Sequence, residues 1–410
     1  MSELLSHIRV LDLTRVLAGP WASQTLADLG AAVIKIEKPD SGDDTRSWGP
    51  PFVKDRSGAD VPGLSAYFTC ANRGKYSVAI DLANMEGQDL IRRLALECDV
   101  VMENFKAGGL RKFGLDYESL RSVNPKLVYC SITGFGQDGP YAHRAGYDVM
   151  VQALGGLMSI TGEAEGVPGG GPVKVGVAVT DLMTGLYATT AVLAALPRAQ
   201  AAGVGQHIDI GLLDVQVAAL ANQGANFLVS GQSPRRMGNA HPTIVPYQAF
   251  ETKDGRIVLN VGNDIQFTKF CAVANAPEWS RDARYATNPA RVENRIELCK
   301  KISEILRMKP TTEWLQMLEP AGVPAAPINT IAEVFEDPHV IARGARLAFD
   351  DGQSSIPSVA SPMRFSETPI RYNRAPPHLG QHTARILKGV LGLSDEEIAG
   401  LTERRVIASA

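Results

Sequence analysis

Apolar and polar positions alternate in two rhythms along the first half of the chain. Residues 8–13 form a short apolar run that reads as a buried strand, 21–29 carry apolar positions at helical spacing, and 32–36 return to a strand. That is one strand–helix–strand unit of ordinary crossover length. Residues 86–97 are amphipathic, with Leu90, Ile91, Leu94 and Ala95 on one face, and runs at 100–102 and 127–131 read as further buried strands. Repeats of this unit predict an α/β fold, a large Rossmann-like parallel sheet covered by helices on both faces.

Past Gly203 the rhythm changes to a long, polar-interrupted region that ends in the turn-rich segment 231–243. Residues 247–251 and 257–261 then alternate on either side of Asp254-Gly255, which predicts a hairpin. Helical patterns follow at 266–274, 292–306 and 312–318. After the Pro-rich stretch 323–327 a last segment closes with a helix from Ser394, where Ser-x-x-Glu with Glu397 forms a capping box. The predicted division is residues 1–200 as the N-terminal part of the large domain, 201–227 as a linker, 228–325 as a smaller α+β domain, and 326–410 as a linker and return to the large domain.

Composition narrows the function classes. With 410 residues, 41 basic and 44 acidic, the formal net charge is −3, so there is no electrostatic case for nucleic acid or an anionic membrane surface. Any anionic ligand must be met by a few local cations. Five cysteines without a C-x-x-C pair suit reduced thiols, and the N-terminus lacks a basic start followed by an apolar core, so a cytoplasmic protein is expected. The histidines show no metal-ligand spacing, and no metal is expected. After Asp181 an uncharged run ends at Pro197 and Arg198, short of the roughly 20 apolar residues of a membrane span, and no membrane partner is expected.

That run holds the main chemical oddity. Residues 175–179 suit a buried strand and 182–196 a buried helix, which places Asp181 at a helix start, where the exposed amides favour a carboxylate. Capping is the ordinary use of Asp there. The apolar surroundings and Gly169-Gly170-Gly171 just upstream point instead to a nucleophile, already ionised at neutral pH and in need of no general base. Arg15-Val16-Leu17-Ala18-Gly19-Pro20 follows the first strand and Glu37-Lys38-Pro39 the second, at the ends where open α/β sheets bind ligands. A dinucleotide site would need G-x-G-x-x-G, and the turn offers Gly19 followed by Pro20. Arg15 and Lys38 suit either phosphates or a solvated surface. Glu103-Asn104-Phe105-Lys106 follows another strand, and Tyr147-Asp148 and Gly238-Asn239-Ala240-His241-Pro242 are polar islands.

Taken in order, Val10-Leu11-Asp12-Leu13-Thr14-Arg15-Val16-Leu17-Ala18-Gly19-Pro20, Gly30-Ala31-Ala32-Val33-Ile34-Lys35-Ile36-Glu37-Lys38-Pro39, Glu103-Asn104-Phe105, Gly134-Phe135-Gly136, Gly146-Tyr147-Asp148, Thr180-Asp181, Gly322-Val323-Pro324 and Leu379-Gly380-Gln381-His382-Thr383 resemble the class III, CaiB/BaiF-type, coenzyme A transferases nearly end to end. The resemblance implies transfer of CoA between carboxylic acids by a homodimer of interlocked rings, with CoA thioesters as substrates and no permanently bound cofactor. It places the nucleophile at Asp181, acting through an aspartyl anhydride and an aspartyl-CoA thioester. It places CoA contacts at Arg15, Val16, Ala18, Lys38, Asn104, Phe105 and Lys112, and positions beside the nucleophile at Tyr147 and Asp148. A gating run of glycines in relatives falls on residues 238–243, which hold Gly238 and Asn239 but have His241-Pro242 in place of glycines. A lysine used by some relatives falls on Ala83.

The same fold holds α-methylacyl-CoA racemases, whose histidine falls on Tyr147, and a phenol with pKa near ~10 is a poor proton shuttle at neutral pH. Leu17 replaces a glutamine of oxalate-pathway members. Residues 43–51 and 238–247 look most like the succinyl-CoA:glutarate branch, which implies a succinyl-type donor and a C4–C6 dicarboxylate acceptor. The remaining alternative is a CoA-binding protein without turnover. A second substrate carboxylate needs a cation near Asp181, for which Arg46, Arg73 and Lys174 are the candidates.

Overall fold

The computed structural model describes residues 4–409. They divide into two units: the first comprises residues up to 157, 175–229 and 339 onward, and the second 158–174 and 230–338.

The first unit is built on a seven-stranded sheet of β1 (Arg9–Asp12), β2 (Ala32–Glu37), β3 (Tyr76–Ile80), β4 (Val100–Glu103), β5 (Val128–Thr133), β6 (Gln206–Gly211) and β7 (Ile407–Ala408). Their order is β7-β3-β2-β1-β4-β5-β6, parallel throughout except for β7, which pairs antiparallel with β3. Alternate side chains feed two cores. Leu11, Ile34, Val78, Val101 and Tyr129 face one side, under the helices Met85–Leu96, Thr383–Leu391 and Asp395–Glu403. Val10, Val33, Val100, Met102 and Val128 face the other, under α1 (Ala18–Asp28) and the long helix α3 (Val179–Ala202). Period-two alternation with both faces apolar is what places helices on both sides, as the strand patterns predict. The motif Leu379-Gly380-Gln381-His382-Thr383 docks on β3: Ser77 donates its N–H to His382 Nδ1 at 3.2 Å, and Ala79 donates to Thr383 Oγ1 at 3.0 Å.

Three sequence expectations need correction here. Residues 175–179 form no strand; α3 starts at Val179 and runs on through Pro197 to Ala202. This helix is long and apolar enough to cross a membrane, yet Ala188, Val192, Ala195, Leu196 and Ala199 are buried in the second core. Residues 201–227 are not a linker. They carry β6, in register beside β5, and the helices α4 (Leu212–Ala219) and Ala221–Ser230. The alternating polar residues of β6 are those of an edge strand, which hides it from a search for apolar runs.

The second unit holds the predicted hairpin, Tyr247–Glu251 with Arg256–Asn260, extended by Ala325–Pro327. Its core of Phe250, Ile257, Phe267, Leu298 and Trp314 is closed by the helices Asp264–Val273, Arg295–Leu306 and Thr311–Leu318. Residues 158–174, expected in the large domain, belong to this unit.

Candidate active site

The strand order reverses direction between β1 and β4, and in open α/β sheets the crevice beyond the strand ends at such a point binds ligands. Here the crevice is shaped by buried charges. Asp12, at the end of β1, accepts hydrogen bonds from Thr14 N (2.9 Å) and Ser23 Oγ (2.5 Å) and pairs with Lys75 at 3.2 Å, all out of water. From β2, Lys35 Nζ donates to Thr14 O (2.8 Å) and to Asp43 (2.9 Å). Burial alone would raise the Asp43 pKa; Lys35 and the Thr45 donors outweigh it and hold the group at about 2. Asp43 in turn accepts from Val16 N at 3.3 Å.

These bonds keep Val16 at φ +71°, a left-handed conformation that a β-branched residue adopts only under external constraint. Gly19 permits the turn, because a Cβ there would lie 2.3 Å from Thr14 Cβ. Across the reversal, the Asn104 side chain accepts from Arg15 N (2.9 Å) and donates to Arg15 O (2.7 Å). The Arg15 guanidinium lies 5.4 Å from the Phe105 ring and 3.2 Å from Asp44. Phe105 N donates to Glu103, whose carboxyl is pushed up to about 7, chiefly by burial.

The result is a cavity of about 1190 Å³ within the first unit. Arg15, Val16, Ala18, Lys38, Asn104, Phe105 and Lys112 all line it, as do Tyr147, Asp148 and Asp181. Sequence reasoning missed several functional neighbours. A lysine inside the apolar strand Ala32–Glu37 was the available signal for Lys35, since a buried charge is costly unless it has partners. Arg144, over the rings of Phe135 (5.2 Å) and Tyr141 (4.5 Å), and Arg405 also line the cavity and gave no signal.

Asp181 occupies the first turn of α3 and does not cap it. The cap comes from Asp148, at the start of α2 (Asp148–Leu154): its carboxylate accepts from Thr180 N (2.9 Å), Asp181 N (3.3 Å) and Gln152 Nε2 (2.5 Å). The Asp181 carboxyl is left half-buried, without a hydrogen bond among the described residues. Burial first, and the charge of Asp148 second, push its pKa up to about 7. This departs from the expectation of a carboxylate fully ionised at neutral pH, because burial and Asp148 favour its protonated form. Tyr67, another neighbour that sequence reasoning missed, is pushed up to about 12 by burial and then by Asp181, so its phenol stays a hydrogen-bond donor.

Two of the three candidate substrate-carboxylate cations, Arg46 and Arg73, are committed to buried carboxylates. Arg46 is buried and forked onto Glu37 through Nε and Nη2, both at 2.7 Å, with Nη1 on two backbone carbonyls. Arg73 is likewise forked onto Asp28 at 2.9 and 2.5 Å. Lys174 belongs to the second unit. So do Gly238, Asn239 and His241: Gly238 N donates to Gly162 O, His241 N to Tyr247 O, and Arg295 holds the His241 and Pro242 carbonyls at 3.2 and 2.7 Å.

A cavity of this size at the sheet's switch point, with cations along its rim and a perturbed carboxyl at a helix start, fits an acyl-CoA site. The model of CoA-transferase family III matches residues 5–383. The chain belongs to that family. The class III CoA-transferase is 54% identical over 385 residues to the succinate–glutarate CoA-transferase of Agrobacterium fabrum, covering 93% of this chain and 94% of that protein. It is 45% identical over 406 residues to human succinyl-CoA:glutarate CoA-transferase, covering 98% and 90%. Among solved structures, a CaiB/BaiF family protein from Brucella suis matches with a TM-score of 0.83 at 48% identity, over 95% of this chain and all of that one. The family and branch expected from the sequence motifs are thus confirmed, and the protein is an enzyme that uses CoA thioesters as substrates.

Proposed function

We propose that this enzyme moves CoA from succinyl-CoA to glutarate or a similar C4–C6 dicarboxylate, with Asp181 as the nucleophile. One observation carries the reading: Asp148 takes over the capping of α3, which frees the Asp181 carboxyl to face the cavity. The names of the most similar transferases supply the substrates.

Ionised Asp181 attacks the succinyl-CoA carbonyl, giving a succinyl–aspartyl anhydride and CoA thiolate. The thiolate attacks the aspartyl carbonyl, releasing succinate and leaving an aspartyl-CoA thioester. The acceptor carboxylate attacks that carbonyl and expels the thiolate as a second anhydride forms. The thiolate then takes the acceptor's acyl group and restores the Asp181 carboxylate. Each step passes through an oxyanion, which hydrogen-bond donors around the site must stabilise. In the same proposal the enzyme works in the cytoplasm as a homodimer of interlocked rings; light scattering should give twice the 43.9 kDa chain mass.

The test is incubation with succinyl-CoA, hydroxylamine trapping and mass analysis of the Asp181 peptide, alongside exchange of labelled succinate into the thioester. A hydroxamate at Asp181, lost in Asp181→Ala, is expected. Exchange retained in that variant would remove Asp181 from its role.

A further inference from the structure

We propose that Arg405 reads the 3′-phosphate of the CoA substrate. The proposal rests on CoA thioesters occupying the cavity with the thioester at Asp181.

Helix Asp395–Glu403 ends in a Schellman motif: Val406 N donates to Leu401 O and Arg405 N to Thr402 O, both at 2.9 Å. Leu401 and Val406 are buried in one core, the apolar contact that accompanies this motif. Its turning residue must be left-handed, and glycine is the ordinary occupant because it alone adopts that conformation freely. Here it is Arg405, at φ +56°. The next two residues impose the conformation: Asp81 N donates to Val406 O at 2.8 Å, and Ile407 pairs with Ile80 as β7 joins the sheet. The Arg405 side chain is exposed, lines the cavity, and makes no hydrogen bond or ion pair among the described residues. Arg405 thus holds a charged side chain at the cavity wall from a strained left-handed backbone, where an anionic ligand can meet it.

The sheet says which part of the ligand. Arg405 precedes β7, the strand at one edge of the sheet, and lines the cavity from there. Asp181 lies toward β5. Gly134, just after that strand, packs so closely on Gly146 that a Cβ would meet its Cα at 2.5 Å, and the following Asp148 accepts the Asp181 N–H. From β7 through β3, β2, β1 and β4 to β5 are five inter-strand steps, roughly 24 Å. CoA carries its thiol and its 3′-phosphate at opposite ends. With the thioester at Asp181, the 3′-phosphate belongs at the β7 edge, while Lys38, after β2, stands nearer the middle of the cavity and suits the pyrophosphate. An arginine fork matches a terminal phosphate through two charge-assisted hydrogen bonds.

The experiment compares wild type and Arg405→Gly, in the full chain, with CoA and 3′-dephospho-CoA by calorimetry and with the corresponding succinyl thioesters by kinetics. Glycine suits the left-handed site, so the variant should melt at or above wild type. Its affinity for CoA should fall about tenfold. Affinity for 3′-dephospho-CoA should fall less than about threefold, and Arg405→Gln should behave as Arg405→Gly does toward the ligand. Equal losses for the two ligands, no loss for either, or a wild type that fails to distinguish them overturns the assignment. If wild type binds CoA but transfers none, the functional reading fails while calorimetry still decides the role of Arg405.

Discussion

Replacing Asp181 by Asn should make the protein inactive and, above neutral pH, more stable. In the unfolded chain this carboxyl ionises near 3.8; in the fold, burial and then Asp148 move it to about 7. Between those values the folded state keeps a proton that the unfolded state has lost, so stability falls as pH rises. The slope is about 1.4 kcal/mol per pH unit, and the whole penalty of about 4 kcal/mol is in place above pH 7. Partial exposure screens the charge, which makes this the upper end. Asn carries no such penalty. The stability gap between Asp181→Asn and wild type should therefore widen by about 2 kcal/mol from pH 5.5 to 7 and then stay level to pH 8.5. For a chain of this length that is roughly 2 °C in melting temperature. Glu103, also pushed up to about 7, titrates in both proteins and cancels. Melting curves at half-unit pH steps measure the gap. A gap that does not change with pH, or a wild type more stable at pH 8, would refute the account of Asp181 as a charge held at a cost.

Three further outcomes rest on the same network. In Asp148→Asn the like charge is gone, so the pH midpoint for transfer should move to the acid side of 7 while α3 loses part of its cap; an unmoved midpoint in the pH–rate profile would assign the whole Asp181 shift to burial. Arg46→Gln leaves Glu37 buried without its fork and should cost about 3–5 kcal/mol in urea unfolding; a folded, stable variant altered only in acceptor KM would return Arg46 to the substrate. Val16→Gly relieves the left-handed valine, so the variant should melt at or above wild type while CoA binding weakens several-fold as the turn loosens; unchanged CoA affinity would show that the constraint serves folding alone.

Much of the parallel sheet was legible because its strands are short, mainly apolar runs set between helical patterns. β6 was not, because an edge strand alternates polar and apolar residues and looks like a loop. The supposed strand at 175–179 failed for the converse reason: three alternating valines suit a strand, yet the chain only approaches α3 there. Arg46 and Arg73 show a further limit. Sequence marks an arginine as a cation but does not show that Glu37 or Asp28 already occupies its fork.

The α/β pattern, the family motifs and the odd carboxyl in an uncharged run are all legible in the amino-acid order alone. These are local, carried by periodicity and residue type over a few positions. The three-dimensional fold is what sets Asp148, 33 positions earlier, on the N-terminus of the Asp181 helix, and what buries the Asp181 carboxyl near that charge and so raises its pKa. It alone brought Arg405, from the end of the chain, onto the rim of a cavity begun at residue 13. Strand order and burial set those meetings, and neither distance through space nor loss of solvent is written in the spacing of residues along the chain.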